Sequence, residues 1–196
     1  MPKNRTAKIH RKTSETDVRL TLRLDGGACS VDTGVGFFDH MLTHVSRHGR
    51  MGLDVAARGD THIDDHHTVE DVGIVLGQAL FEALGDKMGI ERFGFASIPM
   101  DEALARVSVD LSGRAALIYE VQFTDGEGKV GTFDTQLVRE FLVALVHNGR
   151  FNCHVEVMHG QNNHHIAEAI FKALGRALRQ AVSITGQDVP STKGTL

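Results

Sequence analysis

The chain has little cysteine and no long run of apolar residues. Its two cysteines, Cys29 and Cys153, stand far apart, with no CxxC pattern and no density that would indicate a disulfide framework. They suit a protein of the reducing cytoplasm, and we expect both to be small buried side chains. No apolar stretch approaches membrane-spanning length, and the first residues lack the apolar core of a signal peptide. We therefore expect a cytoplasmic protein with no membrane partner.

Charge of either sign is not in large excess. The formal net charge is -4 at pH 7, and 23% of the residues are charged. This mildly acidic balance argues against a nucleic-acid partner, so the basic residues near the N-terminus are interpreted as a solvated first strand. The 196 residues and the 41% hydrophobic content suit one domain with a real core. Histidine is the outlier, with twelve copies.

One stretch of the sequence occurs twice. DDHHTVED at 64–71 and NNHHIAEA at 162–169 share a His-His-x-x-Glu core, and the match extends over 39–71 and 139–169. Three further aligned pairs are Gly49 with Gly149, Arg50 with Arg150, and His40 with Glu140. The two arginines occupy matching turn positions, which favours a structural role for them. We infer a single domain, residues 1–196, made of two pseudo-repeats at about 1–92 and 93–196.

Apolar residues alternate with polar residues in two segments and follow helical spacing in two others. Alternation predicts half-buried strands, and helical spacing over 72–84 and 167–181 predicts amphipathic helices. The alternating residues are Val18, Leu20, Leu22, Leu24, Ala105, Val107, Val109 and Leu111. A turn is predicted at 125–129. Strands with helices packed on them in each half predict an α+β fold, an internally duplicated two-layer unit with a sheet packed against helices.

Each histidine pair is predicted to open a helix. Asp65 and Asn163 stand directly before the pairs, where N-cap residues belong. On a helix, residues i and i+4 share a face, whereas adjacent residues diverge by about 100°. His66 can therefore bind one metal ion together with Glu70, while His67 points elsewhere. The same argument applies to the second copy.

The two copies can complete each other's metal sites. The second histidine of each pair, which points away from the ion of its own copy, can bind the ion of the other copy. The aligned His40 and Glu140 supply one further ligand each. Site one then comprises His40, His67, His164 and Glu168. Site two comprises His66, Glu70, Glu140 and His165. The ligands of each site meet either within one chain or across a subunit interface.

The donor set restricts the kind of ion. Imidazole with carboxylate, and no thiolate, suits Mn, Fe, Ni or Zn rather than Ca. Four protein ligands on an octahedral ion leave two open positions, as catalytic metal sites require. The alternative is that these residues only cap helices or face solvent. The duplication of the whole unit weighs against that alternative.

Five segments resemble a known family. They are TGVGFFDHMLTHVSRHG, GDTHIDDHHTVEDVGIVLGQAL, RFGFASIPMDEALARVSVDLSGR, NNHHIAEAIFKALGRALRQA and PSTKG. In this order they closely resemble imidazoleglycerol-phosphate dehydratase of histidine biosynthesis, from about Arg11 to Gly194. The resemblance implies a ribosomal protein S5 domain 2-like fold and two Mn(II) ions per subunit. It also implies self-association of trimers into a 24-subunit shell, with active sites between subunits.

The resemblance also assigns substrate-binding residues. The substrate would be imidazole glycerol phosphate, and the product imidazole acetol phosphate. The phosphate-binding positions match Arg92, Arg114 and the segment Ser191, Thr192 and Lys193. Glu15 matches the acid–base glutamate, which enters from a neighbouring subunit. The remaining expected substrate contacts are His40, His44, at a position where relatives often carry glutamine, and His48.

The chemistry explains why two sites are needed. The C–H proton lost in this dehydration lies beside an alcohol and is barely acidic. If both ring nitrogens bind metal, the ring is held as imidazolate and can expel the adjacent hydroxyl, giving a diazafulvene-like intermediate whose C–H is acidic. We therefore expect His67, His165 and Glu15 to be catalytic, with Glu15 as the proton shuttle.

Two other functions remain open from the residues. One is a metal-binding or storage shell without turnover, which would not need Arg92, Arg114 or the Ser-Thr-Lys tail. The other is a dinuclear metallohydrolase, whose ions lie about 3.5–4 Å apart. An imidazolate bridge requires a larger separation, so the distance between the ions distinguishes the two.

Overall fold

The structure is a computed structural model that describes residues 5–124 and 128–194. The predicted turn at 125–129 therefore lies mostly outside the described residues. The elements of the first half, in chain order, are β1 (Thr6–Lys12), β2 (Thr16–Arg23), β3 (Cys29–Asp32), α1 (Gly36–Gly49), β4 (Gly52–Gly59) and α2 (His66–Leu84). β1 is the solvated first strand expected from the basic N-terminal residues.

The second half repeats this order with one small insertion. Its elements are β5 (Phe93–Met100), β6 (Ala103–Asp110), β7 (Ala116–Glu120), β8 (Lys129–Val130), β9 (Phe133–Asp134), α3 (Gln136–Gly149), β10 (Asn152–His159) and α4 (Asn163–Val182). The sheets run β1-β2-β4-β3 and β5-β6-β10-β7, while β8 and β9 form a separate hairpin. In both sheets the first three strands are antiparallel and the last pair is parallel. The α+β duplication predicted from the sequence is confirmed.

Each sheet buries one face. The alternating residues of the sequence lie on that face: Val18, Leu20 and Leu22 on β2 are at most 2% exposed, and Val107 on β6 is fully buried. Burying such side chains contributes about 1.5–3 kcal/mol each. Helix α2 packs on the first sheet and α4 on the second.

The four helices join the two halves. α1 of the first half packs against α4 of the second, and α2 packs against α3. Both crossings depend on a glycine: a Cβ on Gly77 would lie 2.6 Å from the Leu145 carbonyl oxygen, and a Cβ on Gly175 would lie 2.7 Å from the Val45 carbonyl oxygen. One hydrophobic core therefore extends through both halves.

The two aligned arginines end matching helices. Arg50 and Arg150 are the C-caps of α1 and α3, both in the left-handed conformation with φ of 51° and 52°. The Arg150 guanidinium also stacks on Phe81, 4.7 Å from the ring centroid. Their role is structural, as the repeat predicted.

Asp65 is the N-cap of α2, as predicted, but the prediction of Asn163 as the N-cap of α4 was wrong. The helix α4 begins at Asn163, and its cap is Asn162, whose side chain accepts from the backbone N–H of His164 at 2.9 Å. At α2, Asp65 occupies the N-cap position without a capping bond, and Asp64 Oδ1 accepts from the His66 N–H instead. A loop residue one position earlier reaches the first N–H groups in each case.

The prediction that both cysteines are buried was also half wrong. Cys153 is buried on the central strand β10, but Cys29 is exposed. Cys29 begins β3, which lies at the edge of the first sheet, so its side chain has no second neighbour strand to cover it. Within the described ranges, no helix is both long enough and apolar enough to cross a bilayer.

The glycine crossing gives a stability prediction. Gly175→Ala forces a methyl group against the Val45 carbonyl and the Gly49 amide, both within 3.0 Å of the new Cβ. Such overpacking costs about 1–3 kcal/mol, measurable as a lower urea midpoint. Gly36→Ala, at an exposed helix position with no atom within 4 Å of the new Cβ, is the matched control and should not destabilise. Equal midpoints for the two variants would refute the crossing as described.

Candidate metal centre

Three potential metal ligands from two helices meet at one carboxylate oxygen. His40 Nε2 on α1 lies 2.7 Å from Glu168 Oε1 on α4, and His164 Nε2 lies 3.2 Å from the same oxygen. All three donor atoms lie within 4.8 Å of one another. His164 and Glu168 share a face because they are four residues apart, and the α1–α4 crossing adds His40. These are three of the four residues assigned to site one.

The carboxylate at the centre is almost fully buried. The side chain of Glu168 is 7% exposed, and Lys172 Nζ donates to its Oε2 at 2.5 Å. Burial alone would raise the pKa of Glu168, but hydrogen bonds from Lys172 and from the histidines around it lower the pKa far below its ordinary value. Glu168 is therefore a permanent anion with one oxygen directed at the histidines.

Two further histidines continue along α1 from His40. His44 Nε2 lies 3.1 Å from His40 Nε2 and 3.2 Å from Glu168 Oε1, and the rings of His44 and His48 have centroids 5.6 Å apart. Desolvation by burial lowers the pKa of both His44 and His48. Burial therefore favours the neutral form of both rings, which can donate or accept a hydrogen bond.

His67 lies in a second cluster, away from the first. Its Nδ1 is 2.9 Å from Asp60 Oδ2 and 3.8 Å from Glu15 Oε2. These three residues form the other group of close potential ligands in the described part of the chain. Within a single chain, His67 thus does not join His40, His164 and Glu168. The hydrogen bond that His67 donates to Asp60 raises the pKa of His67.

The four residues assigned to site two are not gathered in the single chain. His66, Glu70 and Glu140 form no cluster within 4.8 Å among the residues that the structure describes. Glu140 accepts from Arg139 at 3.3 Å, and His165 Nδ1 lies 2.6 Å from Glu102 Oε2. A cleft of about 490 Å³ opens beside His66. The cleft leaves room for a ligand from outside the chain.

Arg92 connects the predicted phosphate site to the C-terminal tail. Its guanidinium binds Asp110 through Nε and Nη2 at 2.7 and 3.2 Å, and its Nη1 donates to the Pro190 carbonyl at 2.8 Å. Three of its five N–H donors are thus used, which leaves two for a ligand. Arg92 also has a positive φ of 72°, held by a backbone bond to the Ala181 carbonyl.

The other predicted phosphate residues lie in exposed turns. Arg114 is exposed, and its backbone N–H donates to Ser112 Oγ at 3.4 Å. In the tail, Ser191 Oγ accepts from the Lys193 N–H at 3.2 Å, while Thr192 and Lys193 are exposed. Because Arg92 holds the Pro190 carbonyl, it fixes the start of this turn.

Sequence analysis missed four residues that the site uses. They are Asp60, which binds His67, Glu102, which binds His165, Asp110, which binds Arg92, and Lys172, which binds Glu168. Two of them carried a signal. Lys172 follows Glu168 by one helical turn, and Glu102 lies in the β5–β6 turn at the position that Glu15 occupies in the β1–β2 turn.

The chain is similar to known proteins of one family. The family profile described as imidazoleglycerol-phosphate dehydratase matches residues 33–178. Two imidazoleglycerol-phosphate dehydratases, from Streptococcus mutans and Desulforamulus reducens, are 56% and 58% identical to the chain. Each alignment covers 98% of this chain, with 100% and 99% of the relative.

A solved structure agrees with these relatives. The imidazoleglycerol-phosphate dehydratase of Staphylococcus aureus superimposes with a TM-score of 0.84 at 43% sequence identity, over 92% of this chain and 99% of the other. A second such structure, from Pyrococcus furiosus, gives the same TM-score at 39% identity, over 96% of this chain and 100% of the other. The profile, the full-length relatives and the fold thus agree, and the chain belongs to the imidazoleglycerol-phosphate dehydratase family of hydro-lyases in histidine biosynthesis.

Proposed function

We propose that the chain converts imidazole glycerol phosphate to imidazole acetol phosphate and water with two Mn(II) ions per subunit. The observation that carries the proposal is the convergence of His40 and His164 on the buried Glu168 oxygen. This cluster places two imidazoles and a carboxylate where they can share one ion.

The cluster fits a metal ion by its donors and by its spacing. Imidazole with carboxylate suits Mn(II) and its neighbours in the first transition row. Ligand atoms at right angles on an ion, with bonds of about 2.1 Å, lie about 3.0 Å apart. The distances from Glu168 Oε1 to His40 Nε2 and His164 Nε2, 2.7 and 3.2 Å, lie on either side of this value.

The remaining ligands would come from a neighbouring subunit. Each single chain gathers three residues of site one, and its own His67 lies in another cluster. Self-association would let the His67 of one copy complete site one of the next, and would let His165 do the same for His66, Glu70 and Glu140. This supports the proposal of an oligomer, for which the family resemblance implies 24 subunits built from trimers.

Glu15 would lie beside His67 at the metal site of the neighbouring subunit. Its Oε2 is 3.8 Å from His67 Nδ1, and its side chain is 55% exposed in the single chain. A glutamate on a rigid hairpin turn beside a metal ligand is well placed to take a proton from the substrate carbon, once a neighbouring surface desolvates it. One subunit would thus supply both His67 and the acid–base group to the site of its neighbour.

The phosphate would be bound at the other end of the substrate. Arg92 has two N–H groups left for a ligand, and Arg114 and Lys193 are exposed in turns. A guanidinium suits a phosphate because its donors match two oxygens at once. Binding energy from this remote group holds the imidazole ring in place for reaction.

Bound metal ions would change the acidity of the imidazole ring of the substrate. Metal ions held by these ligands would favour loss of the N–H proton of the imidazole ring and would help the adjacent hydroxyl to leave. Ionised Glu168 gives the ligand cluster a negative charge, which Lys172 on its other oxygen partly offsets. Family membership argues against the two alternative functions, since neither a storage shell nor a hydrolase is a hydro-lyase.

The first test is an assay for the ketone product with and without manganese. Purified full-length chain, stripped by a chelator and supplied with imidazole glycerol phosphate, should lose activity, and added Mn(II) should restore it with about two ions bound per subunit. Metal content by elemental analysis accompanies the rates. Full activity in the stripped, metal-free sample would rule out the metal-dependent reaction.

His67→Ala tests the ligand supplied from outside the cluster. The variant should lose Mn(II) occupancy and more activity than the roughly 100-fold that outer-shell residues cost, because a direct ligand is removed. The matched control is His154→Ala, an exposed histidine on β10. Wild-type occupancy in His67→Ala would exclude His67 as a ligand.

Acid should release the metal. Ligand histidines must be neutral to bind, and the hydrogen bonds that His67 and His165 donate to Asp60 and Glu102 raise the pKa of both histidines above 6.5. Protons therefore begin to compete with Mn(II) above pH 6.5, and occupancy should fall as the pH is lowered through neutrality. Equilibrium dialysis from pH 8 to pH 5.5 measures this. Constant occupancy over that range would contradict it.

A further inference from the structure

Two carboxylates hold the histidines that point away from the cluster. Asp60 Oδ2 lies 2.9 Å from His67 Nδ1, and Glu102 Oε2 lies 2.6 Å from His165 Nδ1. Both contacts use the same ring nitrogen, although the two carboxylates come from different elements. Asp60 directly follows β4, whereas Glu102 lies in the turn between β5 and β6.

These contacts determine which ring nitrogen of each histidine can bind a metal ion. An ionised carboxylate only accepts hydrogen bonds, so it keeps the imidazole proton on Nδ1 and leaves the lone pair on Nε2. Across residues 5–124 and 128–194, no hydrogen bond engages Nε2 of His67 or His165. The nearest acidic atom to His165 Nε2 is Asp101 Oδ2, at 3.6 Å on a side chain that is 71% exposed. Both rings are thus prepared to bind through Nε2.

The carboxylates are themselves anchored. Glu102 Oε1 accepts from the backbone N–H groups of Gln161 and Asn162, at 3.0 and 2.8 Å. It therefore ties the β5–β6 turn to the loop that opens α4. Asp60 is only 12% exposed in its side chain, and its Oδ1 is buried with no partner in the described part of the chain. Such an oxygen requires a donor, which a neighbouring subunit or a water can supply.

Glu102 and Glu15 occupy equivalent positions in the two halves but make different contacts. Both residues end the first hairpin turn of their half, directly before β2 and β6. In the first half Asp60 binds the ring nitrogen, so Glu15 remains 3.8 Å away and exposed. In the second half Glu102 makes that bond itself. Both carboxylate oxygens of Glu102 are thus occupied, Oε2 by His165 Nδ1 and Oε1 by the Gln161 and Asn162 amides.

We propose that Asp60 and Glu102 are positioning residues that present Nε2 of His67 and His165 to metal ions bound by a neighbouring copy. Glu102 occupies the place of Glu15 in the repeat but takes no part in proton transfer. The inference rests on the proposed function, which supplies the metal. It adds a carboxylate–histidine–metal triad to each half of the chain. The carboxylate of such a triad sets the orientation and the basicity of the ligand histidine.

The experiment compares Mn(II) affinity among full-length variants at pH 8. Asp60→Asn and Glu102→Gln should each weaken Mn(II) binding by about 10–100-fold, measured by the electron paramagnetic resonance signal of free Mn(II). Asp17→Asn is the matched control, because Asp17 forms a carboxylate–histidine bond of 2.8 Å with His10 outside the clusters. Affinities of Asp60→Asn and Glu102→Gln within twofold of wild type would overturn the inference while leaving the proposed function intact.

Two further measurements exclude a merely structural effect. Thermal unfolding without metal should be unchanged in the variants, and Glu102→Asp, which retains a carboxylate, should recover part of the affinity. At saturating Mn(II), Glu102→Gln should regain most of the wild-type kcat, whereas Glu15→Gln should not. A kcat for Glu102→Gln as low as that of Glu15→Gln would refute its exclusion from proton transfer. No Mn(II) binding by the wild type would defeat the proposed function and the inference together.

Discussion

Adjacent side chains on a helix point in directions about 100° apart, and the organisation of this site follows from that constraint. His164 can share an ion with Glu168 one turn later, but His165 cannot reach the same ion. The structure shows the divergence directly, since His164 lies at Glu168 Oε1 while His165 lies at Glu102. A motif with two neighbouring histidines therefore reaches two different carboxylates, one on its own helix and one on a distant turn.

The helix crossings decide where those other residues lie. Gly175 allows α1 to approach α4 closely, which brings His40 to the Glu168 carboxylate, and Gly77 has the corresponding role between α2 and α3. A wider crossing would separate the ligands from different helices. Packing in the core and chemistry at the surface are thus linked through two positions that cannot carry a side chain.

Much of the fold was predictable because its signals are local. The alternation at Val18, Leu20 and Leu22, the helical spacing after each histidine pair and the aligned Arg50 and Arg150 all correspond to elements of the structure. The grouping of His164 with Glu168 follows from helix geometry alone. Asp60 could not be predicted, because the turn after β4 brings His67 to it and no periodicity describes that turn. The exposure of Cys29 depended on strand order, which the sequence does not state.

The packing of the helices of one half against those of the other has a consequence for a chain with only one half. A polypeptide with only one unit would leave the glycine-bearing face of its helix in water, so it would be stable only as a pair of identical copies related by a twofold axis. The present chain holds both units in one polypeptide, so α1 packs against α4 and α3 packs against α2 within the chain. Equivalent positions in the two units need not be alike, and the glutamates of the two hairpin turns differ: Glu15 is exposed, whereas Glu102 is bound to a histidine.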